Sequence, residues 1–305
     1  MSHILKLCLV DMNNGVANEA TRCFRRLFDA FATRVRTANP GLEISFKHVQ
    51  PRNLGELPDL DVDLVLSSGG PGSPLDGYGD GWCVGYRRFI DSVVERTLQN
   101  PLSAPGLFVV CHSFEITVQH FGIARMERRD DLKFAIFPAY VTEAGRRSSL
   151  LAPFGDRLFA WEHRRYQAVE LDAHKLRSLG GQLLATESRP GQDDKGPSLL
   201  AFHFAPGVDG TQFHPEADRG GVLAWINRPE HAAALKDAYG NSLYERMMKT
   251  LADPARLART FALLIPSWLT HRFNQIAPER GLRPISPPGQ NMREFEDELP
   301  LAVGG

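Results

Sequence analysis

The chain has 305 residues, of which 43% are hydrophobic and 23% charged, with a formal net charge of −1. Those proportions belong to an ordinary globular protein of one large domain or two smaller ones. The near-neutral balance gives no electrostatic reason for nucleic acid or an anionic membrane as partner, and no apolar run approaches the roughly 18 residues of a membrane span.

Residues 4–10, "ILKLCLV", read as a first strand reaching a loop at Asp11. The apolar stretch is too short for a signal peptide and has no small-residue cleavage pattern. In "NEATRCFRRLFDAFATRV", Ala20, Cys23, Phe24, Leu27, Phe28 and Phe31 recur at helical spacing. "LEISFKHV" alternates as a strand, and "DVDLVLSSGGPGSP" is a strand running into a glycine-rich loop. "YRRFIDSVVERTLQN" is again amphipathic, and "GLFVV" is a short buried strand ending at Cys111. From Glu115 the pattern turns helical, up to Gly122, where a helix would stop. "RLFAWEHRRYQAVEL" and "SLLAFHFAPGVDGTQFHPE" predict further strands; with no helix between them, they are expected to extend the sheet antiparallel.

This alternation predicts an α/β domain over residues 1–225 with an open, mainly parallel sheet flanked by helices. After Trp225 helix formers dominate, predicting a helical extension over 226–276. It is punctuated by Gly240, by Asp253-Pro254 as helix cap and first residue, and by Pro266. Residues 277–305 are proline-rich and then acidic, a tail expected to wrap over the surface or to be disordered. Cys8, Cys23, Cys83 and Cys111 form no Cys-x-x-Cys pair and no metal-ligand spacing, which suits a reducing cytoplasm and suggests no metal or other cofactor.

Three segments bear on chemistry. "SSGGPGSP", Ser67 to Pro74, ends a strand; it is either a plain turn or a loop whose backbone N–H groups approach a ligand. No Gly-Lys-Ser/Thr follows, so it is not a phosphate loop. Cys111 sits where a strand hands over to a helix. It is either one more small buried side chain or a nucleophile whose thiolate faces helix N–H groups. Both segments lie beyond the carboxyl ends of strands, where open α/β sheets bind ligands. In "TQFHPEAD", His214 and Glu216 are two apart, so on extended chain they point to one side and the carboxylate can orient the imidazole.

Together, "SGGPGSP", Cys111 on an elbow and "QFHPE" about 100 residues later resemble the class I glutamine amidotransferase family, over roughly residues 4 to 220. The resemblance implies a flavodoxin-like fold and Cys111 as nucleophile, His214 as general base and acid, and Glu216 as its orienter. It also implies an oxyanion hole from the backbone N–H groups of Gly70 and His112, and a glutamyl thioester that water resolves. Gly70, Glu115, His163, Arg165 and Tyr166 are the candidate substrate contacts, with Arg164 a further clamp for a carboxylate; His120 and His203 are expected to be structural. The small-molecule substrate would be glutamine or a related γ-amide, with ammonia released or passed to a separate synthetase.

The elbow departs from the family's Gly-x-Cys-x-Gly-His-Gln. Here it reads Val109-Val110-Cys111-His112-Ser113-Phe114-Glu115. Val109 crowds the turn, Ser113 only partly serves as the small residue, and Glu115 puts a carboxylate where the family has an amide. An acyltransferase or γ-glutamyl hydrolase using the same triad, or a catalytically degenerate binding subunit, are the alternative expectations.

Overall fold

In β1 (Ile4–Val10), Leu5, Leu7 and Leu9 join one apolar cluster while Cys8 and Val10 join another, because a pleated strand points successive side chains to opposite faces. The computed structural model describes residues 4–16, 18–75, 77–102, 104–189 and 196–288. The first cluster is covered by α1 (Glu19–Ala38), which presents Phe24, Leu27, Phe28 and Phe31 at the expected spacing. Asn18 caps this helix, its side chain accepting from the Ala20 N–H at 2.8 Å. The other cluster is covered by α3 (Gly81–Gln99) and α4 (His112–Phe121), with the short α2 (Pro51–Leu54) between strands.

The strands β2 (Glu43–Val49), β1, β3 (Leu64–Ser67), β4 (Gly106–Val110) and β9 (Val208–Thr211) run parallel in that order. Beyond β9 the sheet continues through β8 (Leu199–Ala205), β6 (Arg157–Val169), β5 (Arg125–Val141) and β7 (Gln182–Thr186). All pairings in that half are antiparallel, and β7 bonds both β5 and β8. The sheet is therefore mixed, a correction to the mainly parallel expectation. The reason lies in the connections: parallel neighbours need a crossover helix, whereas between β5 and β9 the described residues offer only the short α5 (Glu143–Arg147) and α6 (Ala173–Ser178), one 3-10 turn at Ala152–Phe154, and loops.

After α7 (Arg219–Ile226), α8 (Pro229–Ala252) is broken at Gly240, whose φ is 76°. It packs Leu235, Met247 and Leu251 with Phe134, Ile136 and Trp161 of β5 and β6. Helix α9 (Leu257–Ile276) begins three residues past Pro254; Asp253 instead ends α8, its Oδ1 accepting from the Ala255 N–H. Pro266 does not end α9 but lies inside it, buried, with apolar contacts before and after it outweighing the lost backbone bond. Although the sequence sets 226–276 apart from the sheet, Phe261, Leu264, Trp268 and Phe273 of α9 share one cluster with α1 and β1. Of the tail, residues 277–288 run over the surface, tied by the Arg283 N–H to Asn39 and by buried Ile285. Its acidic part lies outside the described residues.

Candidate active site

Cys111 is the junction of β4 and α4, with φ 50° and ψ −105°. A positive φ on a residue with a β-carbon is strained, and here the strain is held by backbone bonds on both sides. The Cys111 N–H donates to the Thr211 carbonyl, and its own carbonyl accepts from the Glu115 N–H, both at 2.8 Å. The expected crowding by Val109 is relieved from the neighbouring strand. Val109 pairs with Gly210, where a β-carbon would stand 2.4 Å from a Val109 methyl. Ser113 is buried and fixed, bonded to Ser67 Oγ at 2.8 Å and donating to the Ser68 carbonyl at 2.6 Å. Tyr86 completes this network by donating to Ser67.

His214 stands against the same elbow. A β-carbon on Gly69 would lie 2.9 Å from His214 Cε1 and 3.1 Å from Cys111 Cβ, so thiol and imidazole flank one glycine. Each of the two groups shifts the proton affinity of the other. Opposite the thiol, His214 Nδ1 meets Glu216 Oε1 at 2.8 Å. That contact comes from the turn at residues 215–216 rather than from extended chain as the spacing suggested. The backbone N–H of His214 donates to Trp161, which fixes the histidine to β6. Burial alone would lower the His214 pKa, but Glu216 and the adjacent thiol outweigh it and hold the imidazole well above its ordinary value. Burial pushes the Cys111 thiol up; His214 pulls against this, while Glu115 and Glu216 add to it.

The glycine loop is pinned beside them. Arg52 donates to the Met12 carbonyl at 2.9 Å and to the Pro71 carbonyl at 2.5 Å. Gly70 admits no side chain, because a β-carbon there would lie 2.0 Å from the Met12 oxygen. His112 opens α4, where the first backbone N–H groups have no partner within the helix.

Glu115 is 3% exposed and points inward. Its Oε1 accepts from Gln212 Nε2 at 2.9 Å, and its Oε2 lies 3.7 Å from His112 Nδ1. Gln212 Nε2 is also 4.0 Å from Cys111 Sγ. Sequence reasoning gave Gln212 no role, although it stands within "QFHPE". Among the described residues, His112 Nδ1, Gln212 Oε1 and Glu216 Oε2 are buried with no hydrogen-bond partner.

The β6 candidates divide. His163 lies two residues from Trp161, its ring against Trp225 and Phe134. Arg165 is exposed, while Tyr166 is packed against the α3–α4 cluster, so the pleat points these two to opposite faces. Arg164 is sequestered, paired with Glu162 at 2.6 Å and Glu187 at 2.7 Å. His120 bonds Asp91 and His203 bonds Asp209, away from the elbow.

No protein-family model matches the chain, and no curated protein matches it. Solved structures do. A glutamine amidotransferase from Thermotoga maritima superposes with a TM-score of 0.56 at 14% identity, over 88% of this chain and 99% of that one. A glutamine amidotransferase from Methylobacillus flagellatus gives 0.57 at 11% identity, over 93% and 98%. The fold is that of the glutamine amidotransferases.

Proposed function

We propose that the protein is a glutamine amidotransferase-like enzyme that cleaves the γ-amide of glutamine, or of a related compound, through a thioester on Cys111. The supporting observation is the strained elbow facing the His214–Glu216 pair. In this reading His214 takes the thiol proton, and Sγ adds to the amide carbon. The developing oxyanion is received by the N–H groups of Gly70 and His112. The protonated imidazole then gives its proton to the leaving nitrogen, ammonia departs, and water activated by His214 hydrolyses the thioester. Glu216 holds the imidazole tautomer and stabilises its charged form. Glu115 and His163 line the substrate side, with Arg165 at its rim. Ammonia is released or passed to a separate synthetase. No helix among the described residues is long and apolar enough to cross a membrane.

The test is labelling with a glutamine-like electrophile, followed by mass spectrometry of all four cysteines. Selective modification of Cys111, lost in His214→Ala, is expected. Equal labelling of Cys111 in wild type and His214→Ala, or none, would contradict the triad. Acyl-CoA consumption without ammonia release would instead favour an acyltransferase on the same residues.

A further inference from the structure

At the far end of β4 and β9 from Cys111, five residues or about 16 Å along the strand, lies a cavity of about 370 Å³. Its polar lining includes His203, Asp209, Trp268, His271, Arg272 and Gln275. Arg272 is only 3% exposed, and its bonds go to neutral groups. One amino group donates to Gln275 Oε1 at 2.6 Å and the other to the Pro101 carbonyl at 3.1 Å. Its Nε has no partner among the described residues. Among the described residues, Asp209 is the only acidic side chain lining the cavity, and it is already engaged. Its Oδ1 meets His203 Nδ1 at 2.8 Å, and its Oδ2 accepts from Trp268 Nε1 at 2.9 Å.

The chain has made room for this guanidinium. A β-carbon on Gly207 would stand 2.5 Å from Arg272 Cζ, so the absence of a side chain there seats the arginine at the start of β9. Burying a cation without a carboxylate partner is costly, and such groups are normally paired. Burial also pushes the Arg272 guanidinium below its ordinary pKa, with Asp209 opposing only in part.

We propose that this cavity is a binding site for a small anion bearing a carboxylate or phosphate group, with Arg272 as its charge partner and His203 and His271 beside it. The site is distinct from the Cys111 elbow and does not depend on what that elbow catalyses.

The test is thermal unfolding of the full chain titrated with sodium phosphate or sodium succinate, at ionic strength held constant with sodium chloride. At about ten times the dissociation constant, a bound anion is expected to raise the midpoint by about 2 °C. The anion that does so identifies the group as phosphate or carboxylate. The rise should vanish in Arg272→Met and in His271→Glu. His271 is exposed, so if Arg272→Met does not fold, His271→Glu decides alone. No rise with either anion, or a rise that persists in a folded variant, overturns the proposal.

Discussion

The backbone of Cys111 carries a cost of about 1–3 kcal/mol, because its β-carbon sits at φ 50° and ψ −105°. Cys111→Gly removes that cost and Cys111→Ala keeps it. Both should be inactive, but the glycine variant should be the more stable of the two by about 1 kcal/mol in urea unfolding. Equal stabilities would show that the elbow is not strained. Glu115 acts in the opposite sense to the histidine: its charge raises the Cys111 thiol, after burial and against His214. Glu115→Gln should therefore increase the thiolate fraction, accelerating Cys111 alkylation by iodoacetamide at pH 7 several-fold. A slower reaction would mean that the carboxylate is needed to orient Gln212. Cys111, His214 and Glu216 can be picked out as candidates from the sequence, because their short motifs in combination resemble one family. Gln212 cannot. Its partner Glu115 is 97 residues away, and only the folded chain brings amide and carboxylate together.

Strand β5 illustrates what single elements conceal. Its first half, "RMERRDDLKF", has no period-2 apolar pattern and contains a register shift between Arg128 and Lys133. Several of its charges form ion pairs across the fold. Lys133 lies 2.9 Å from Glu162 and 2.6 Å from Glu187, and Arg164 binds both of these carboxylates. Burial alone would raise Glu162 and Glu187, but Arg164 and Lys133 outweigh it and hold both below 4.5, their ordinary value. Carboxylates depressed in the folded state stabilise it above that ordinary value, and the contribution is lost as pH falls through the lower, folded one. Wild type should thus lose thermal stability progressively as pH drops below 4.5, and Glu187→Gln should show a shallower decline. At pH 7 the same variant should be destabilised by about 2 kcal/mol, a buried-pair loss discounted for the partial exposure of Glu187. Parallel pH profiles for the two proteins would remove the network from the stability account.

Across the whole molecule, the residues after Trp225 complete the layer that covers the sheet. Trp268 of α9 meets Phe108 of β4 edge to face at 5.4 Å, and Phe273 meets Phe31 of α1 at 6.0 Å. Trp268→Ala should cost about 3–5 kcal/mol in denaturant unfolding, the usual loss for a buried aromatic. A change under 1 kcal/mol would mean that α9 is dispensable. Composition marked this segment as helical but not where it packs, since long-range aromatic contacts leave no local pattern. The parallel half of the sheet is readable because strand and helix alternate there; in the antiparallel half β6 and β8 are readable too, but β5 and β7 are not, because the first half of β5 is charged and β7 has only five residues. The two halves meet at β9, which lies beside β4 and leads into the turn bearing His214 and Glu216, the arrangement that the proposed reaction requires. Steady-state ammonia release from glutamine by wild type, Cys111→Ala and His214→Ala tests that reaction most directly. We expect measurable release by wild type, falling by about 10³-fold or more in both variants; a Cys111→Ala protein that folds and still releases ammonia at the wild-type rate would contradict it.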